Sequence, residues 1–187
     1  SDASGGVINI ITRKVSAGDN KTSLEITGGS FGKEQYSFLN TGRTDDNVYW
    51  MLAAQKDISG DFKDGRSNTI QNKVNANDFN FKIGKDFDED TSLVFTYESY
   101  QSDYLRPKNG GLHETKISEG EKDQKRLSIL STNRISEKAV NQISLYQNKN
   151  YLNDNYNDPM NVWLMELETS GISDQVTYTT ENHTLVG

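Results

Sequence analysis

From Thr22 onward, apolar and polar residues alternate with a period of two, which is the pattern of a β-strand with two different faces. In the first stretch, Leu24 and Ile26 lie on one face and Ser23 and Glu25 on the other. Seven further stretches follow, at 36–42, 48–55, 78–83, 92–98, 126–129, 142–145 and 163–168, and another begins at His183. No stretch shows the 3.6-residue period of an amphipathic helix. The pattern therefore predicts an all-β chain, an antiparallel meander of about nine strands.

The connections between these stretches alternate in length. Short polar clusters at 44–47, 86–90, 136–138 and 179–182 alternate with long connections at 59–71, 102–122 and 150–160. Short turns at one end and long loops at the other are typical of an outer-membrane β-barrel, whose strands need about 9–11 residues to cross the membrane. The one exception is the tight turn Gly29-Ser30-Phe31-Gly32, which we expect at the long-loop end.

The alternation also predicts which side chains share a face. We expect the apolar set to form one continuous convex face and the polar set a concave one. The apolar set is Phe79, Phe81, Ile83, Leu93, Phe95, Tyr97, Leu127 and Ile129, and the polar set is Asp78, Lys82, Glu98 and Arg126.

In the eighth stretch, Trp163, Met165 and Leu167 oppose Glu166 and Glu168. We expect these two glutamates to face the water-filled interior of a barrel. Two carboxylates on one face could also serve acid–base chemistry. A bare pair specifies no reaction, however, and no nucleophile–base pair accompanies it, so we predict that the chain is not an enzyme.

The amino-acid composition excludes several other classes of protein and of binding site. The chain has 187 residues, 33% of them hydrophobic, and a mean hydropathy of -0.79. No run approaches the roughly 20 apolar residues of a spanning helix, a test that barrel strands escape. The net charge of -7 argues against nucleic-acid binding. Without cysteine, and with two histidines that lack partners at ligand spacing, we expect no metal site and no cofactor.

The first twelve residues, S-D-A-S-G-G-V-I-N-I-I-T, place two glycines before a short β-branched strand. This string resembles the last strand of the plug domain in TonB-dependent outer-membrane receptors. The G-S-F-G turn at 29–32 is similar to the turn between their first two barrel strands. The resemblance implies that residues 1–20 are the end of a plug domain with its linker, and that 21–187 are the N-terminal portion of a transmembrane β-barrel. We expect the chain to be a piece of a longer protein.

The resemblance also implies a function. Such receptors lie in the bacterial outer membrane, contact its lipid, and import scarce nutrients with energy passed through TonB, which acts on parts outside this chain. A ferric siderophore is the expected ligand, with haem and cobalamin next. The alternative from the residues alone is a soluble or cell-surface β-sandwich binding module, for example for carbohydrate.

Two of the long connections combine cations with aromatic rings, which suits an anionic or aromatic ligand. The candidate ligand-binding residues are Tyr104, Arg106, Lys108 and His113 in the connection 102–122, and Phe62 and Arg66 in 59–71. Exposed loops that simply remain solvated are the competing explanation for each of these residues.

Overall fold

The computed structural model describes residues 20–107, 117–155, 162–181 and 183–187. Within these ranges the secondary structure is β-strand without any helix, which confirms the prediction of an all-β chain. The predicted plug strand, in residues 1–19, lies outside the described residues, as do Lys108 and His113. The strands are β1 (Lys21–Gly29), β2 (Lys33–Arg43), β3 (Val48–Ser59), β4 (Phe62–Lys63), β5 (Thr69–Ile70), β6 (Lys73–Asp86), β7 (Thr91–Pro107), β8 (Ile117–Ser136), β9 (Ala139–Asn155), β10 (Val162–Thr179) and β11 (Thr184–Val186).

Nine of these strands form one antiparallel sheet, in the order β1-β2-β3-β6-β7-β8-β9-β10-β11. The remaining two, β4 and β5, form a small hairpin in the connection between β3 and β6. Sequential neighbours therefore pair throughout, as the meander prediction required. In the part of the chain that the structure describes, the sheet is open, and β1 and β11 are its edges.

The long strands extend into segments that the sequence pattern predicts to be loops. β7 continues to Pro107, which pairs with Ile117 at the start of β8, and β9 continues to Asn155. The predictions of loops at 102–122 and 150–160 are therefore wrong over much of their length. The physical reason is that an antiparallel ladder satisfies the backbone N–H and C=O groups whatever the side chains are. A strand with polar residues on both faces lacks the alternation that marks it in the sequence.

The predicted assignment of side chains to faces is confirmed in β6, β7 and β8. Residues directly opposite each other in a sheet project to the same face. Phe95 is opposite Ile83 and Ile129, whereas Glu98 is opposite Asn80 and Arg126. We name the two sides of the sheet the Phe95 face and the Glu98 face. All eight apolar residues of the predicted set lie on the Phe95 face, and the four polar ones lie on the Glu98 face.

The prediction for Glu166 and Glu168 is wrong. Glu168 is opposite Lys149, which is opposite Lys125, and this row belongs to the Phe95 face. Trp163, Met165 and Leu167 accordingly lie on the Glu98 face. The same unbroken strand places Ile172 on the Phe95 face, opposite Leu145. β10 thus presents apolar residues to opposite faces in its two halves, and alternation within one half cannot reveal which face that half presents.

Much of the packing comes from aromatic rings that cover glycines on the neighbouring strand. The directly opposed pairs are Trp50 with Gly42, Tyr49 with Gly84, Tyr104 with Gly120 and Tyr146 with Gly171. A Cβ atom added to any of these glycines would come within 3.0 Å of the opposing ring. Each ring therefore occupies the space of a missing side chain, an arrangement that compensates for glycine in a strand.

The tight turn between β1 and β2 lies at the long-loop end, as predicted. Phe31 and Gly32 have φ angles of 64° and 62°, and the Lys33 N–H donates to Ser30 O over 3.3 Å. This is a type I′ turn, in which phenylalanine at a positive φ is strained. The Gly60 N–H donates to Phe31 O over 2.8 Å, and the Phe62 ring lies edge-on to Phe31 with centroids 5.7 Å apart. These contacts with the connection after β3 hold the strained residue.

Candidate functional site

The outer parts of β7, β8 and β9 bring two of the predicted ligand-binding residues together. Tyr104 and Arg106 both lie on the Glu98 face near the end of β7. Tyr104 is opposite Gly120, which is opposite Asp154, and Arg106 is opposite Ser118. The guanidinium carbon of Arg106 lies 5.0 Å from the centre of the Tyr104 ring, within the range of a cation–π contact.

Asp154 connects these three strands through its carboxylate. Arg106 Nη2 donates to Asp154 Oδ2 over 2.8 Å, and Ser118 Oγ donates to Asp154 Oδ1. Asp154 is only 1% exposed and Ser118 is fully buried, while the Arg106 side chain remains 54% exposed. A buried carboxylate needs such partners, because removing one leaves an uncompensated charge. The chief role of Arg106 here is thus to neutralise Asp154.

The other predicted residues do not belong to this cluster. Phe62 lies in the β4–β5 hairpin, where its ring packs against Phe31. Arg66 lies in the turn of that hairpin, where its backbone N–H donates to Asp64 Oδ1 over 2.8 Å. Lys108 and His113 are outside the described residues. The structure therefore groups Tyr104 with Arg106 and leaves Phe62 and Arg66 in a separate element.

Sequence reasoning missed Ser118 and Asp154. Both belong to segments predicted to be solvated loops, and their partners are 36 or 48 residues away along the chain. What brings Ser118 and Asp154 together is the register of the β7–β8–β9 ladder. The sequence contains no signal for that register once the alternation of apolar and polar residues stops.

A wider patch of aromatic and apolar side chains surrounds this cluster on the Glu98 face. Three successive rows across β7 to β10 contain Tyr100, Tyr104, Lys122, Leu152, Trp163, Met165 and Leu167, which we name the loop-end patch. Trp163 is 58% exposed and Leu167 is 49% exposed. Lys122 Nζ lies 5.5 Å from the centre of the Tyr100 ring.

The Phe95 face is charged over the same part of the sheet. Its three rows across β7 to β10 contain five carboxylates, those of Asp103, Glu119, Glu121, Asp123 and Glu166. Three of these residues, together with Lys56 and Lys73, line an open recess of about 830 Å³. Towards the loop end the Phe95 face therefore becomes acidic, with Val162 and Leu164 also on it, while the Glu98 face gains aromatic and apolar side chains.

Nearer the middle of the sheet, the Glu98 face forms a polar recess of about 430 Å³. Asp78, Glu98 and Arg126, three residues of the predicted polar set, line it. Asn80 Nδ2 donates to Glu98 Oε1 over 3.0 Å, and Gln124 Nε2 donates to Asn150 Oδ1 over 2.9 Å. The recess is hydrophilic and crossed by hydrogen bonds between strands.

In the middle of the sheet, the Phe95 face carries an exposed apolar band. One row is apolar across six strands: Trp50, Ile83, Phe95, Ile129, Leu145 and Ile172. Ile83 is 40% exposed, Leu145 48% and Ile172 70%. Among the described residues, the only strands outside this sheet are the short β4 and β5, so no second sheet covers the band.

The apolar band is slanted relative to the rows of paired residues. In β2 its members are Tyr36 and Phe38, and in β10 they are Ile172 and Val176, yet the residue of β10 in the row of Phe38 is Glu168. The band thus moves by about seven residues over six strand-to-strand steps. With about 3.3 Å per residue and about 4.8 Å between strands, this corresponds to a tilt of about 40° between the strands and the normal to the band.

Comparison of the chain with protein-family models, with curated proteins and with solved structures found no match. Within the described residues, no helix is long and apolar enough to cross a membrane. The same residues contain no group of three or more histidine, aspartate or glutamate side chains placed to hold a metal ion.

Proposed function

We propose that this chain is part of the wall of an outer-membrane β-barrel, in a receptor of the TonB-dependent type that imports a ferric siderophore. The observation that carries the proposal is the slanted apolar band on the Phe95 face. Lipid-facing residues of a barrel form a level belt around strands that tilt by about 35–45°, so the belt must cross the rows of paired residues obliquely. The slant of about 40° lies within that range.

The polar side of the same sheet supports this proposal. A barrel of this kind has a hydrophilic interior, and the Glu98 face carries a recess lined by Asp78, Glu98 and Arg126. A soluble β-sandwich would instead cover its apolar face with a second sheet about 10 Å away. The described residues offer only the two-residue strands β4 and β5 for that role.

The receptor part of the proposal rests on the sequence. The plug-like string at 1–12 and the G-S-F-G turn at 29–32 support membership of this class. In such a receptor the loop end faces the medium, so a ligand arrives beside Tyr104 and Arg106. Haem and cobalamin are the alternative cargoes, and TonB engages parts outside this chain.

The test uses the full-length protein and two arginine substitutions on adjacent residues. Phe95 lies midway along the apolar part of β7, so Phe95→Arg is expected to lower the free energy of unfolding in phospholipid vesicles by about 2–4 kcal/mol. Thr96→Arg places the same side chain on the Glu98 face, opposite Lys82, and is expected to cost less than about 1 kcal/mol. The neutralising change Glu98→Gln should cost a similarly small amount.

Cell fractionation completes the test. The full-length protein is expected in the outer-membrane fraction and is expected to resist extraction by high salt or carbonate. Recovery in a soluble fraction, or equal costs for the Phe95 and Thr96 substitutions, would contradict the barrel proposal.

A further inference from the structure

The loop-end patch has the composition and size of a small-molecule binding surface. It covers three rows spaced two residues apart on four strands, which corresponds to about 13 Å by 14 Å. Trp163, Met165 and Leu167 form its apolar edge on β10, and Tyr100 and Tyr104 form its aromatic edge on β7. Aromatic and apolar side chains with a few placed polar groups are typical of ligand sites.

The charge of the patch favours an anion. Lys122 lies in the middle row, beside the Tyr100 ring, and forms no ion pair with any residue that the structure describes. Arg106, in the next row towards the strand end, is balanced by Asp154 within the three rows, which leaves Lys122 as one positive charge in excess. The reverse side of the same rows carries five carboxylates, and the chain as a whole has a net charge of -7. An anionic ligand is therefore attracted to the Glu98 face and repelled from the Phe95 face.

We infer that the loop-end patch binds an anionic, aromatic iron chelate of the ferric tricatecholate class. This inference rests on the proposed receptor function and specifies its ligand. A ferric tricatecholate presents flat aromatic rings and several negative charges. The rings can stack on Trp163 and the tyrosines, while Lys122 forms charge-assisted contacts with the catecholate oxygens. A ferric trihydroxamate is uncharged and aliphatic, so it gains neither interaction.

The test measures binding of both chelates to the full-length protein, using quenching of tryptophan fluorescence by the coloured iron complexes. The ferric tricatecholate is expected to bind at least tenfold more tightly than the ferric trihydroxamate. Leu167→Ser removes apolar surface from the patch, and Lys122→Gln removes its unbalanced charge. Each is expected to weaken tricatecholate binding about tenfold, equivalent to about 1.4 kcal/mol. The effect of Lys122→Gln should shrink at high salt.

Leu164 supplies a matched control on the same strand. It is 61% exposed and lies on the Phe95 face, so Leu164→Ser repeats the Leu167 substitution on the other side of the sheet. Tricatecholate affinity should be unchanged in this variant. Circular dichroism and outer-membrane recovery would show that each variant is folded.

The outcomes separate this inference from the proposed function. Equal affinity for the two chelates, equal loss in the Leu164 and Leu167 variants, or no tricatecholate binding at all would overturn the ligand assignment. Tight binding of the trihydroxamate, haem or cobalamin by an outer-membrane protein would do the same while the receptor proposal stands. The receptor proposal itself fails in the fractionation experiment, which involves no ligand.

Discussion

Replacing Gly120 by alanine tests how the outer part of the sheet is held together. Gly120 lies on β8 beneath the Tyr104 ring, on the strand next to the buried Asp154. A Cβ atom at this position would overlap the Tyr104 ring and would lie 2.8 Å from the backbone oxygen of Asn153. The ring can swing aside, but the Asn153 oxygen belongs to the β8–β9 ladder and moves only with its strand.

The expected magnitude follows from these contacts. Ordinary contact begins near 3.4 Å, so the Asn153 oxygen must retreat by about 0.6 Å, and the Tyr104 ring must retreat further. Overpacking of this kind typically costs 1–3 kcal/mol, and we expect about 2–3 kcal/mol for Gly120→Ala because a backbone atom is involved. Displacing the ring also withdraws it from the Arg106 guanidinium.

A double-mutant cycle isolates the contribution of the ring. Tyr104→Ala removes the ring and makes room for the new Cβ atom. Removing the ring relieves its own overlap but leaves the Asn153 oxygen in place, so the double variant should be destabilised by about 1 kcal/mol less than the sum of the two single variants. The assay is urea unfolding of the full-length protein in phospholipid vesicles, with the free energy obtained by linear extrapolation.

Gly28 is the matched control, because it also lies within a strand and a Cβ atom added there would meet nothing within 4 Å. Gly28→Ala should be neutral or slightly stabilising, since it restricts the unfolded chain. A Gly120→Ala cost within about 0.5 kcal/mol of the Gly28→Ala cost would refute the reasoning. Strict additivity in the cycle would show that the ring does not fill the space above Gly120.

Two further predictions concern single contacts. Arg106→Ala should destabilise the protein by about 2 kcal/mol in urea unfolding. This is less than the cost of breaking a fully buried ion pair, because the Arg106 side chain is half exposed. Adding Asp154→Asn removes the uncompensated charge and should recover part of the lost stability. A double variant that is less stable than Arg106→Ala alone would contradict the ion-pair argument. Phe31→Ala should be more destabilising than Phe31→Asn, because both lose the Phe62 contact but asparagine tolerates the positive φ of the turn. The same unfolding assay checks this order, and equal costs would show that turn strain is not involved.

The alternation of apolar and polar residues was sufficient to predict the strands in the middle of the sheet, their sequential pairing and the face that each side chain occupies. This worked because residues such as Phe95 and Glu98 differ strongly in polarity, and a strand that buries or solvates one face has only one acceptable register. The position of the tight turn at Phe31 also followed from the sequence, because its place in the meander determines the end of the sheet at which it lies.

Only the tertiary structure revealed the outer thirds of β7, β8 and β9 and the facing of β10. In the outer parts of β7 to β9 both faces carry polar residues, so the sequence contains no period from which to infer a strand. In β10 the alternation predicts the strand at 163–168 but not which face each side chain occupies. Arg106, Ser118 and Asp154 come from three strands, and their meeting depends on a register set by the whole ladder. The reversal in β10 has the same cause. The two faces of a strand are equivalent until it pairs with a neighbour. Only the pairing of β10 with β9 places Leu167 on the Glu98 face and Ile172 on the Phe95 face.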